Sequence, residues 1–272
     1  MDDQVRPPRP RALSIAGSDS GGGAGIQADL KTFSALGVFG MTAITAVTIQ
    51  NTRGVSGYET LPPQVVADQI RAVVTDIGVD AAKTGMLASA QIVEAVAEAV
   101  AETAIPNLVV DPVSVSKHGH RLLDEDAVGV LRERVLPLAT LVTPNLPEAA
   151  VLAGFEVTDR DLMQDAAETI QAMGPDAVLV KGGHLPGAPG ADDLFFDGDR
   201  MAWIAGEWIE TPNTHGTGCT LSSAIAAYLA RGDELLAAVQ KGKAFVTEAI
   251  RAALPLGGGI GPVDQLWGIE RG

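Results

Sequence analysis

The chain is 272 residues long, 46% hydrophobic and 19% charged, with a net charge of −15 and no basic run. This composition excludes a disordered chain and leaves room for a continuous core, and the acidic balance excludes nucleic acid and anionic membranes as general partners. A single cysteine, Cys219, rules out an intrachain disulfide; with no secretory signal and no apolar run long enough to span a bilayer, the expectation is a reducing, cytoplasmic compartment.

Residues 1–11 carry Pro7, Pro8 and Pro10 without an apolar stretch, so a disordered tail is expected there, followed by one domain over 12–272. Residues 13–16 predict a strand, residues 17–25 a Gly-rich turn, and the following segment a helix to about Leu36. Residues 41–50, rich in Thr, Val and Ile, predict a second strand. Pro62 and Pro63 open a helix whose Val65, Val66, Ile70 and Val73 fall at helical spacing. A strand over 79–83 precedes a helix with the apolar stripe Ile92, Val93, Val96 and Val100. Further strands are predicted over 108–110, 141–143 and 177–180, then a small antiparallel meander over 194–210. Two helices, about 218–230 and 234–253, close the chain. Such alternation predicts an α/β fold, a mostly parallel central sheet with helices on both faces.

In sheets of this kind ligands bind beyond the carboxyl ends of the strands. Gly17-Ser18-Asp19, Gln50-Asn51, Lys83-Thr84, Asp111, Asn145 with Glu148, and Lys181-Gly182 each follow an apolar run. Parallel strands would set them along one rim, although each cluster alone reads as an ordinary turn.

The run Thr214-His215-Gly216-Thr217-Gly218-Cys219-Thr220 leads into an apolar helix. Small residues at a helix start let backbone N–H groups converge on an anion, aided by the helix dipole, and this suits the charge on a transferring phosphoryl group. The bland alternative is a glycine turn before a buried helix. Cys219 reads either as a thiol whose pKa the dipole lowers, acting as base toward a hydroxyl, or as a small buried apolar residue. The glycines of 17–25 permit close backbone approach to a ligand, or simply a flexible entry to the helix bearing Gln27, Asp29 and Lys31. They form no P-loop, because no Lys-Ser/Thr pair follows, and no dinucleotide fingerprint, because Ile26 stands where a third glycine belongs. Asp111 and Glu148 suit Mg²⁺, which takes one or two carboxylates plus phosphates; Asn145 and Glu148 suit a helix cap equally. Lys181 reads as a partner for nucleotide phosphate or as a surface lysine. His118, His120, His184 and His215 have no zinc spacing, and no Gly-x-Ser-x-Gly elbow is present, which argues against metal-hydrolase and α/β-hydrolase chemistry.

Taken in order from 12 to 267, these segments resemble the hydroxymethylpyrimidine/phosphomethylpyrimidine kinases of the ribokinase superfamily. The resemblance rests on Ala16 to Asp19 with Gly22 to Lys31, Gln50-Asn51-Thr52, Lys83-Thr84-Gly85-Met86, Asp111-Pro112-Val113, Thr143 to Glu148, Val180 to His184, and Asn213 to Thr220. It implies a three-layer ribokinase-like α/β/α sandwich, a homodimer, and ATP with Mg²⁺. It also implies two successive phosphoryl transfers, onto the pyrimidine's hydroxymethyl group and then onto the monophosphate. By position, Gln50 would bind the pyrimidine, Gly17, Ala24, Met86 and Val113 would line its pocket, and Asp29 would lie near it. Lys181, Asn145 and Thr214 would serve ATP, and Asp111 and Glu148 the Mg²⁺. Gly216, Thr217, Gly218 and Cys219 would form the anion hole, with Cys219 as base where many superfamily members carry Asp. The segment 114–120, Ser-Val-Ser-Lys-His-Gly-His, departs from the apolar residue expected after Asp-Pro-Val. A pyridoxal kinase of the same fold is the alternative.

Overall fold

The computed structural model describes residues 9–113, 123–183, 185 and 190–269. The segment 114–120, His184 and residues 1–8 of the expected tail lie outside the described residues.

The chain begins with β1 (Arg11–Ser18), α1 (Gly25–Ala35), β2 (Phe39–Asn51) and β3 (Gly54–Thr60). It continues through α2 (Pro63–Asp76), β4 (Ala81–Thr84), α3 (Ala90–Thr103), β5 (Leu108–Val110) and the short α4 (Glu125–Val130). Then come β6 (Leu141–Val142), α5 (Leu146–Ala153), α6 (Arg160–Gln171), β7 (Val178–Val180), β8 (Asp193–Phe196) and β9 (Met201–Ile204). Two helices follow, α7 (Thr217–Ala230) and α8 (Leu235–Arg251). The strands form one sheet in the order β3-β2-β1-β4-β5-β6-β7-β8-β9. From β2 to β7 the neighbours run parallel, and β3, β8 and β9 are antiparallel additions at the edges.

Strand parity divides the core in two. Leu13, Ile15, Leu108, Val110, Val178 and Val180 point into a layer shared with α2, α3, α5 and α6. Ala12, Val109 and Leu179 point the other way, onto Phe33 of α1, Leu221 and Ile225 of α7, and Val239 and Val246 of α8. Side chains alternate across a strand with period two, so strands apolar at every position must be covered on both faces. The result is the expected three-layer α/β/α sandwich.

Some boundaries differ from the sequence reading. Arg11, assigned to the tail, is the first residue of β1: it pairs with Phe39, and its guanidinium lies 2.7 Å from Asp80. β3 was not anticipated, because Gly54-Val55-Ser56-Gly57-Tyr58 lacks an apolar run; the ladder to β2 holds it. The meander closes at Ile204, and Trp208, expected within it, is 56% exposed outside any strand.

Candidate active site

β1 lies between β2 and β4, so the chain leaves β1 on one side and returns on the other. A crevice opens beyond the carboxyl ends of the strands at such a reversal. The ends of β1, β4, β5, β6 and β7 bring Gly17, Met86, Asp111, Asn145 and Lys181 to that rim.

An apolar corner forms first. Met86 packs with Ala46 and Ala88, and Val113 packs against them. A methyl group on Gly17 would lie 3.2 Å from Met86 Sδ, so glycine leaves this corner open. Gln50 stands at the end of β2, where its N–H donates to Ser20 Oγ (2.9 Å) and its carbonyl accepts from the same hydroxyl (2.8 Å).

The Gly-rich turn is organised by a side chain. Asp19, 2% exposed, accepts from the N–H groups of Gly21 (2.8 Å), Gly23 (3.0 Å) and Ala24 (2.8 Å). Burial opposes its charge, but the hydrogen bond to His215 and those from the Ala24 and Gly21 N–H groups hold its carboxyl below the usual range. His215 Nε2 lies 2.9 Å from Asp19 Oδ2. The turn before α7 is thereby fastened to the turn before α1.

Gly216 adopts φ +84°, and a Cβ there would overlap the carbonyl oxygen of Gly23. Only glycine fits this conformation and this contact. Thr214 accepts from Thr217 Oγ1 (2.8 Å), closing the first turn of α7. The helix start faces an ion pair: a methyl on Gly218 would lie 3.5 Å from Lys181 Nζ and 3.6 Å from Asp111 Oδ2. Lys181 Nζ is 3.0 Å from Asp111 Oδ1 and 3.9 Å from Glu148 Oε2. Burial opposes the lysine's charge, yet Asp111 and Glu148 raise its pKa above the ordinary value. Asn145 and Glu148 do form the capping box, with 2.9 Å bonds in both directions, and Glu148 still reaches Lys181. The cap and the charged site are one structure.

Asp29, expected near the substrate, is fully buried: its carboxylate is 3.1 Å from Lys83 Nζ, itself fully buried, and accepts from Ser14 (2.5 Å) and Ser223 (2.6 Å). It supports the site from beneath. Cys219 is partly exposed in the first turn of α7. Its thiol pKa is pushed up to about 11 rather than lowered; burial dominates, with Asp29 and Asp111 adding to it, and Lys83 and the Gly25 N–H only partly offset this. The dipole argument considered the helix alone and omitted the desolvating wall around it.

The sequence reading set Asp19 and Lys83 on the rim and His215 in the run before α7, but gave none of the three a role of its own. A lysine within an apolar strand pattern was a signal for a buried pair. An Asp two residues before Gly21-Gly22-Gly23 was a signal for a side chain that organises the turn.

Among the described residues no group of at least three His, Cys, Asp or Glu could hold a metal. Asp111 and Glu148, both beside Lys181 Nζ, are a pair of carboxylates of the kind that suits Mg²⁺, which keeps waters and shares substrate phosphates.

The phosphomethylpyrimidine kinase family model matches residues 19–264. The chain belongs to that family. The hydroxymethylpyrimidine/phosphomethylpyrimidine kinase of Streptomyces coelicolor is 54% identical over 96% of each chain. Among solved structures, the ADP complex of Bacillus subtilis pyridoxal kinase has a TM-score of 0.88 at 40% identity, covering 95% of this chain and 98% of that one. The phosphomethylpyrimidine kinase of Clostridium difficile has a TM-score of 0.79 at 44% identity, covering 88% and 99%.

A cleft of ≈ 490 Å³ opens between the end of β9 and α8, lined by Trp203, Gly206, Lys243, Ala244 and Thr247. One lining residue is linked to the turn after β7: Lys243 Nζ is 2.7 Å from Asp193, which accepts from the Gly182 N–H at 3.0 Å.

Proposed function

We propose that this chain transfers the γ-phosphoryl group of ATP to the hydroxymethyl oxygen of 4-amino-5-hydroxymethyl-2-methylpyrimidine, and then a second phosphoryl group to the monophosphate. The observation that carries this reading is the start of α7, where Gly218 faces the Asp111–Lys181 pair and His215, just before the helix, lies 3.3 Å from the Gln50 amide. The nucleoside of ATP lies in the cleft beside α8, and its phosphates run past Lys181 toward Gly216, Thr217 and Gly218. The N–H groups there receive the charge that spreads over the γ-phosphate oxygens. The hydroxymethyl oxygen forms the new P–O bond as the bond to the β-phosphate bridging oxygen breaks and ADP leaves. The hydroxyl proton goes to the thiolate form of Cys219, a minor fraction at neutral pH because burial raises the thiol's pKa, and the thiol later returns it to solvent. Gln50 binds the pyrimidine ring, with Gly17, Ala24, Met86 and Val113 around it; Asn145 and Thr214 frame the phosphate path. Asp111 and Glu148 are the residues for Mg²⁺, which supplies charge neutralisation at the phosphates.

Val47 and Ile49, 49% and 65% exposed on one face of β2, are the surface on which a second copy would dock to give a homodimer. Use of ATP as donor supports a cytoplasmic setting for the reaction. The likeness to pyridoxal kinases makes pyridoxine the competing acceptor. Side-by-side kinetics with Mg-ATP should give the larger kcat/KM for the pyrimidine, and a larger value for pyridoxine would reverse the assignment.

A further inference from the structure

Gln50 can face a ligand with either end of its amide, and its neighbours determine which. Thr48 Oγ1 lies 2.7 Å from the Ser18 carbonyl and 3.2 Å from the Gln50 amide. A hydroxyl has one proton and a carbonyl only accepts, so that proton belongs to Ser18 and Thr48 offers Gln50 a lone pair. At the other end, His215 Nε2 lies 2.9 Å from Asp19 Oδ2 and 3.3 Å from the amide. Asp19 already accepts from three backbone N–H groups and has no proton to give, so the His215 proton sits on Nε2. His215 Nδ1 is buried, and among the described residues no group bonds to it, so none of them draws the proton there. With Oε1 toward Thr48 and Nε2 toward His215, acceptor meets acceptor and donor meets donor. Turned by half a rotation about its last bond, the amide donates to Thr48 and sets its oxygen against the His215 Nε2–H, which it shares with the nearer Asp19 in place of a donor–donor clash.

We infer that His215, fixed by Asp19, sets the orientation of the Gln50 amide and is thereby a specificity-determining positioning residue. Gln50 then turns Nε2 to Thr48 and Oε1 to His215, and keeps one N–H and one oxygen lone pair for the ligand. Those two groups match an exocyclic amino group beside a ring nitrogen: the amino group donates to Oε1, and the ring nitrogen accepts from Nε2. Amides read adenine by the same pairing. A ring whose amino group is replaced by a carbonyl, with a proton on the neighbouring nitrogen, presents the reverse pattern and is rejected. His215 also joins two turns, because its N–H donates to Gly261 at 3.0 Å while Gly216 follows it directly. The group that orients the ring reader therefore lies in the segment that forms the anion hole.

The inference rests on the role proposed for Gln50, and the test separates the two. kcat/KM is measured for the 4-amino pyrimidine and its 4-oxo analogue with wild type, Gln50→Ala, His215→Leu and His215→Gln. Wild type should prefer the amino substrate by about 10²-fold or more, because a buried polar group left facing its like is strongly rejected. Gln50→Ala should lose this preference. His215→Leu should reduce it to within about tenfold, mainly through KM of the amino substrate, since the amide is then free to turn. His215→Gln, whose side-chain N–H groups can serve both Asp19 and Gln50, should retain most of it. A wild-type preference in Gln50→Ala would remove Gln50 as the reader. Loss in Gln50→Ala with full preference in His215→Leu would overturn the role of His215 alone. If His215→Leu does not fold, ¹⁵N spectra of the wild-type protein decide, with His215→Gln identifying the resonance. A proton on Nε2 supports the inference, and one on Nδ1 alone overturns it.

Discussion

Replacing Lys83 by Met isolates the charge buried beneath the site. Lys83 and Asp29 have no exposed side-chain surface, and Nζ lies 3.1 Å from each Asp29 oxygen. In Lys83→Met the carboxylate keeps Ser14 and Ser223 as donors and loses its counter-charge. Removing one partner of a buried pair costs about 3–5 kcal/mol, and the surviving hydrogen bonds favour the lower end, about 3 kcal/mol. In a chain of this size each kcal/mol moves Tm by about 2–4 °C, so a fall of roughly 6–12 °C is expected. Adding Asp29→Asn to Lys83→Met removes the stranded charge and should recover most of the loss. Urea and thermal unfolding of the wild type, both single variants and the double variant, followed by circular dichroism, give the coupling. A loss below about 1 kcal/mol, or a double variant no more stable than Lys83→Met, would refute the reasoning.

Gly216→Ala forces a side chain into a left-handed conformation and against Gly23, and should lower kcat by about 10²-fold while destabilising the fold by about 1–3 kcal/mol; unchanged turnover would exclude this turn from the anion hole. With its pKa at about 11, Cys219 is a protonated thiol at neutral pH. Because a raised pKa makes thiolate scarce, its alkylation by iodoacetamide should accelerate about tenfold per pH unit from 7 to 9; a plateau already present at pH 7 would mean a lowered pKa instead. Cys219→Ala should lower kcat with little change in unfolding midpoint, and wild-type turnover would reduce the residue to packing. Asp111→Asn strips Lys181 of its 3.0 Å partner and should raise the Mg²⁺ concentration needed for half-maximal rate by about tenfold or more; an unchanged Mg²⁺ dependence would contradict the metal role.

The central strands were legible because both layers require apolar side chains, and runs such as Leu108-Val109-Val110 can be buried in few other ways. β3 was not, since its pairing with β2 is a tertiary contact and its residues are mostly polar or small. At the site, Gly216, Gly218 and Lys181 could be named from local pattern, but their approach to Asp111 depends on sheet order. The partner of Asp29 was hidden for the same reason: nothing in α1 alone reveals that Lys83, 54 positions later, pairs with it. The direction of the Cys219 shift failed because the helix dipole is local whereas desolvation is a property of the packed surroundings. His215, dismissed as a zinc ligand, was the residue whose partners could only be seen in three dimensions.

The most direct test of the central claim is product analysis by mass spectrometry after incubating the purified chain with Mg-ATP and 4-amino-5-hydroxymethyl-2-methylpyrimidine. The monophosphate should appear first and the diphosphate later, with one ADP released per phosphate added. ATP turnover without phosphorylated pyrimidine, or no product at all, would contradict the account.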